Sequence, residues 1–170
     1  MRLRHAQPDD YAEVGELTVS AYAADGYLTA ADEYADELRG AARRATEAEL
    51  VVAVDGHDTT PNRSSTLLGT VTFCLSGSPY AEISRAGEAE FRMLAVAPAA
   101  RGRGVGHALV RWCLDRAREQ GCTGLALSSL DRMHAAHRLY DRLGFVRLPE
   151  RDWQPNPHIT LLAYYLSLET

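Results

Sequence analysis

A chain of 170 residues, 46% hydrophobic and 24% charged, is long enough for one domain with a full core and ordinary in composition for a soluble globular protein. With 18 Lys and Arg against 23 Asp and Glu the net charge is −5. The molecule as a whole then has no electrostatic reason to bind nucleic acid, and any polyanion must be met by a local feature. Cys74, Cys113 and Cys122 show no CxxC spacing, which argues against a zinc site or a disulfide framework and fits a reducing compartment.

The start, MRLRHAQPDD, lacks the apolar run of a secretion signal, and no window approaches a membrane span; a cytoplasmic protein without membrane contact is expected. Arg2 to His5 reads as a short strand. A helix follows, capped by Asp9 or Asp10, with Tyr11, Val14, Leu17 and Ala21 at helical spacing. ADGYL breaks it, and TAADEYADELRGAARRATEAE resumes as one helix with a mixed-charge outer face. LVVAV (50–54) and TLLGTVTFCL (66–75) read as an antiparallel hairpin with a long polar tip, DGHDTTPNRSS.

After the loop SGSPYAEISRAGE, AEFRMLAV is the next strand, ended by Pro98. A helix with Val105, Leu109, Trp112, Cys113 and Arg116 on one face runs to about Gln120, where Gly121 stops it. GLALSSL is a buried strand, MHAAHRLYDRL a helix stopped by Gly144, and FVRL and ITLLAYYLSL are two further strands around a Pro-containing loop. The whole is one domain over 1–170, an α/β (α+β) layer arrangement with a mixed sheet and helices on its faces. The apolar C-terminal strand is a candidate edge for a homodimer.

The most informative stretch is the seam MLAVAPAARGRGVGHA, where a strand feeds a helix through three glycines and two arginines. The first N–H groups of a helix have no intrahelical partner, and with the positive end of the helix dipole they make an anion site. Gly102, Gly104 and Gly106 let the backbone take positive φ and lie against a ligand. Arg101 and Arg103 add charge where phosphates would sit. The Walker pattern fails for want of a lysine followed by Ser or Thr. The dinucleotide fingerprint fails because its third glycine position falls on His107 or Leu109. A glycine-rich turn with no ligand is the plainer alternative.

Two motifs together narrow the choice. Arg101-x-x-Gly104-x-Gly106 follows LAVAP, and thirty-odd residues later comes an A-x-x-L-Y-x-x-x-G-F run at Ala136, Leu139, Tyr140, Gly144 and Phe145. The pair resembles the GNAT superfamily of acyl-CoA-dependent N-acyltransferases, closely over residues 90–146 and elsewhere in element order. The resemblance implies a mostly antiparallel twisted sheet of about seven strands with a central splayed parallel pair, here FRMLAV and GLALSS. It implies that the pantetheine arm of acetyl-CoA pairs with main-chain groups along Leu94, Ala95 and Val96, and that the pyrophosphate lies on the N–H groups of Arg101, Gly102, Arg103, Gly104, Val105 and Gly106.

It further implies that Tyr140 donates a proton to the leaving sulfur and that Glu90, or Glu88 nearby, serves as base, often through water. The residues alone also allow Tyr140 to pack on the apolar face Ala136–Leu139–Tyr140–Leu143, and Glu90 and Arg92 to be a solvated polar pair. Where many relatives carry an asparagine at the start of the second helix, this chain has Met133, with Ser128 or Ser129 as substitutes. Tyr27, Glu33 and Tyr80 are candidate contacts for an amine acceptor, small molecule or peptide. His134 and His137 form an HxxH without an evident third ligand, so no metal is expected. Cys74 reads as a structural cysteine. A non-catalytic acyl-CoA-binding regulatory domain is the alternative to an enzyme.

Overall fold

The computed structural model describes residues 1–28, 33–55 and 65–169. Thr29–Asp32, the expected start of the second helix, and most of the hairpin tip lie outside them. In chain order the described elements are β1 (Arg2–His5), α1 (Tyr11–Ala24), α2 (Glu33–Arg39), α3 (Ala41–Glu47), β2 (Glu49–Val54), β3 (Leu67–Leu75), β4 (Glu88–Val96), α4 (Val105–Glu119), β5 (Gly124–Leu130), α5 (His134–Leu143), β6 (Val146–Arg147), β7 (Trp153–Asn156) and β8 (Ile159–Ser167). The strands form one open sheet in the order β1-β2-β3-β4-β5-β8-β6, with β7 pairing β8 off that path. The sheet is mostly antiparallel, and β4 and β5 are its parallel pair.

The sheet has eight strands where about seven were expected. The addition is β7, which contains Pro155 and so reads as loop; it meets β8 only at Trp153↔Leu161 and Asn156↔Ile159, off the main path, where a missing N–H is tolerated. The single helix expected over 29–49 is two, because Gly40 stands between them at φ −70 and ψ 48 and caps the start of α3. Nor is its charged face all solvated. Arg44 is fully buried, donating from Nη2 to the Leu38 carbonyl at 2.6 Å and from Nη1 to Thr72 Oγ1 at 3.3 Å.

By contacts the chain divides into two compact units, Met1–Phe73 with Met93–Arg111, and Cys74–Arg92 with Trp112–Thr170. In the first, Val14, Ala41, Leu50, Val52, Val54 and Leu67 form a core cluster under α1 and α3. Gly69 in β3 leaves no room for a side chain. A Cβ there would stand 2.8 Å from the Ala95 carbonyl oxygen and 2.9 Å from Val105 Cγ1. Alanine in a strand ordinarily improves on glycine. Here the near atom is backbone and cannot step aside, so Gly69→Ala is expected to destabilise by about 1–3 kcal/mol, read as a lower denaturation midpoint. A midpoint at or above wild type contradicts that packing.

In the second unit β8 is the organising strand. It pairs with β5 from Gly124↔Ser167 to Leu130↔Leu161 on one edge, and with β6 and β7 on the other. Both edges are therefore occupied within the chain, and the C-terminal strand is not the free edge expected for pairing with a second copy. Arg151 and Glu88 form a largely buried bidentate ion pair at 2.6 and 2.9 Å. No helix among the described residues is long and apolar enough to cross a membrane.

Candidate active site

The seam folds as two of its three glycines predict; Gly106 instead lies within the first turn of α4 and does not take a positive φ. Gly102 and Gly104 lie in the left-handed region at φ 74 and φ 76, and a Cβ built on either would meet nothing within 4 Å. The backbone is bare and faces open space. Helix α4 starts at Val105, and its first turn closes when Ala108 N donates to the Gly104 carbonyl at 3.0 Å. The N–H groups ahead of that bond have no acceptor within the helix. Arg101 to Gly104 are exposed, whereas Val105 is buried and pins the helix start to the core.

The two arginines do not add free charge. Arg101 forms a bidentate pair with Asp25 at 2.6 and 2.9 Å, and Arg103 reaches Asp55 at 3.4 Å. An anion at this loop would therefore be met by main-chain donors rather than by these side chains. Neither pairing is legible in the sequence, since 76 and 48 residues separate the paired groups, and Asp25, beside Tyr27, reads there as a candidate acidic contact for an amine.

Strand β4 is irregular where the family resemblance requires a splay. Its parallel register with β5 runs over Glu88↔Gly124, Ala89↔Leu125 and Glu90↔Ala126, while β4 itself continues to Val96. Met93 follows at φ 54, a left-handed conformation that a side chain other than glycine rarely adopts. Leu94 and Val96 beyond it are half-buried and Ala95 is buried.

Glu90 is fully buried rather than solvated. Its Oε2 accepts from three consecutive main-chain N–H groups, those of Glu82, Ile83 and Ser84, at 2.9, 3.0 and 3.0 Å. Its Oε1 is buried too and has no hydrogen-bond partner among the described residues. Arg92, two residues on, meets Glu82 at 2.5 Å and donates to the Tyr80 carbonyl at 3.2 Å. Glu88 is more fully engaged. Burial alone would raise its carboxyl, but hydrogen bonds from Arg151 and the Arg85 N–H outweigh that and hold it below the ordinary carboxylate range.

Tyr140 sits on α5 inside an aromatic cluster, with ring centroids 5.9 Å from Phe91, 6.0 Å from Phe145 and 5.7 Å from Tyr164. The G-F half of the motif explains its position. Gly144 takes φ 90 and ends α5, after which Phe145 N turns back to donate to the Tyr140 carbonyl at 3.0 Å. Burial, reinforced by Tyr164 and Cys113, raises the phenol well above the usual tyrosine range, so it keeps its proton at any physiological pH. Phe91 and Glu90 are consecutive on β4, so Glu90 leaves the strand on the face opposite this cluster.

The remaining candidates are dispersed. Met133 occupies the N-cap of α5 without a side-chain cap. Ser128 Oγ accepts from Trp153 Nε1 at 3.2 Å, and Ser129 bonds His137 Nε2 at 3.1 Å, so both serines are already used in the chain. Burial lowers the His137 pKa, His134 is exposed, and among the described residues no three His, Cys, Asp or Glu side chains converge. Cys74 is buried and its thiol is pushed up to about 12 by burial, which suits packing rather than nucleophilic attack. Tyr27 packs edge-on to Tyr22 at 6.5 Å, Glu33 is exposed at the start of α2, and Tyr80 is buried beneath the Arg92 guanidinium.

Residues 12–145 match the family model described as acetyltransferase (GNAT) family, a span that includes the glycine loop and the Tyr140 run. The chain belongs to the GNAT family of acetyltransferases. Solved structures agree in fold: a GNAT-family acetyltransferase from Staphylococcus aureus Mu50 (TM-score 0.73, 15% identity, 99% of each chain covered) and one from Brucella melitensis in complex with acetyl-CoA (0.59, 23%, 99% of this chain and 88% of that one). A ribosomal-protein-alanine N-acetyltransferase from Brucella melitensis is also similar (0.66, 19%, 99% and 100%). No curated protein matches the sequence.

Proposed function

We propose that this protein is an N-acetyltransferase that moves an acetyl group from acetyl-CoA to a primary amine by direct attack in a ternary complex. The observation that carries the reading is the loop Arg101–Gly106, with two left-handed glycines facing open space immediately ahead of the unpartnered N–H groups of α4. A Cβ on either glycine would fill the space a phosphate needs. The main-chain donors of Arg101–Gly106 would hold the pyrophosphate, and the main chain of Leu94, Ala95 and Val96 the pantetheine arm. The cofactor supplies an acetyl group activated as a thioester.

The chain's own residues do the proton work. A main-chain N–H near Leu94 polarises the acyl oxygen. Tyr140 Oη, kept protonated by burial, gives its proton to the departing sulfur. A primary ammonium, with a pKa of about 10, must lose a proton before it attacks. Of the two carboxylates at the head of β4, Glu90 suits that task better. Both oxygens of Glu88 are taken by Arg151, whereas Glu90 retains an unpartnered Oε1. Because Glu90 is buried and opposite the Tyr140 cluster, it receives the proton by way of water rather than by contact. The three free cysteines are in keeping with a cytoplasmic location.

The test is release of free CoA thiol from acetyl-CoA across a panel of polyamines, aminoglycosides, amino acids and peptide α-amines. Peptides are included because a protein of similar fold is a ribosomal-protein-alanine N-acetyltransferase. Amine-dependent thiol release is expected with at least one class. Acetyl-CoA binding without release for any amine would assign a regulatory binding domain instead.

A further inference from the structure

Arg101 opens the glycine loop, yet its guanidinium is directed at helix α1. Nη1 donates to Asp25 Oδ1 at 2.6 Å, Nη2 to Asp25 Oδ2 at 2.9 Å and, more weakly, to the Ala21 carbonyl at 3.4 Å. Asp25 is the residue on which α1 ends. A carboxylate is poorly placed there, because the last carbonyls of a helix carry the negative end of its dipole. A guanidinium is well placed, since it satisfies an orphan carbonyl and meets the dipole with the opposite sign. Asp25 is therefore unfavourable for α1 on its own account. What it does in this position is grip Arg101 with both oxygens, in the planar fork geometry that fixes orientation as well as distance.

We propose that Asp25 is a positioning residue for cofactor binding: it anchors the Arg101 side chain on the C-terminus of α1 and so fixes the first peptide of the phosphate loop before a ligand arrives. The proposal rests on the reading of that loop as the pyrophosphate site. Its physical basis is preorganisation. Gly102 and Gly104 give the loop the conformations it needs, and their freedom must be lost when main-chain donors close on a phosphate. An anchor at residue 101 removes part of that loss in advance.

The proposal and simple electrostatics predict opposite signs. Asp25→Asn removes a negative charge near a polyanion site and releases an arginine, so Coulomb attraction alone would tighten binding. Preorganisation requires it to weaken. The probes are the two halves of the cofactor: 3′-phosphoadenosine 5′-diphosphate, which carries the pyrophosphate, and pantetheine, which does not. In calorimetric titrations Asp25→Asn is expected to raise the Kd of the nucleotide half about five- to tenfold and to leave pantetheine unmoved. Asp25→Glu is expected to recover most of the loss. Arg101→Gln should match Asp25→Asn, and the double variant should be no worse than either, as for two residues acting as one unit. Unchanged or tighter nucleotide binding in Asp25→Asn overturns the proposal, as does an equal loss for both halves. Wild-type protein that binds neither half overturns the loop assignment itself, and this inference with it.

Discussion

Replacing Gly104 with valine is expected to abolish acetyl-CoA binding while the protein stays folded. Two effects act on the same atom. At φ 76 a β-branched side chain is forced into the left-handed region, which costs about 1–2 kcal/mol. That is a modest fraction of the roughly 5–15 kcal/mol that holds a domain together, and a Cβ at this position meets nothing within 4 Å. If the loop holds the pyrophosphate as proposed, the same empty space is where main-chain donors approach it. A branched side chain there blocks the approach, and the Gly104 carbonyl, which closes the first turn of α4, is displaced if the backbone relaxes to relieve φ. Calorimetric titration with acetyl-CoA beside a thermal melt separates the two effects. A folded Gly104→Val protein that binds as wild type does would refute the phosphate-loop assignment.

Tyr140→Phe is expected to slow turnover by about ten- to a thousandfold with little change in stability or in acetyl-CoA affinity. The substitution keeps the ring, and with it the contacts to Phe91, Phe145 and Tyr164. Only the hydroxyl is lost, so a purely packing role predicts no kinetic change. Burial raises the Tyr140 pKa, which keeps the proton on the oxygen and available for donation across the working pH range. The loss should therefore appear in kcat with KM for acetyl-CoA little moved. It should also be smaller for acyl donors whose thiol is a better leaving group, since these need less help from an acid. Unaltered kcat would remove Tyr140 from the chemistry.

Local chemistry made the strands and the turns of the glycine loop legible in the sequence, because their signals lie within a few residues. Apolar runs bounded by turns gave β2 to β5 and β8 to within a residue or two, and the glycines at 102, 104, 121 and 144 take the positive φ that their positions suggested. The motif around Tyr140 was readable for the same reason: a left-handed Gly144 and the returning Phe145 N–H both arise within the six residues Tyr140–Phe145. What was not legible depends on partners far along the chain. Arg101 and Arg103 read as free charge because Asp25 and Asp55 are 76 and 48 residues away. For Glu90 a solvated position stays open in the sequence because nothing local announces that residues 82–84 fold over it. The break at Gly40 and the strand containing Pro155 are cases where tertiary context chose between two locally acceptable readings.

The grip of Glu90 on residues 82–84 engages peptide nitrogens only, and so it is blind to which amino acids supply them. Any residue except proline, which lacks the hydrogen, can satisfy that grip, although Glu82 is held a second time, by Arg92. The loop is in effect an interchangeable insert clipped to a fixed socket. A library that randomises position 83 while keeping Glu82, Ser84 and Glu90 should yield mostly folded proteins, whereas the same library built on Glu90→Gln should not.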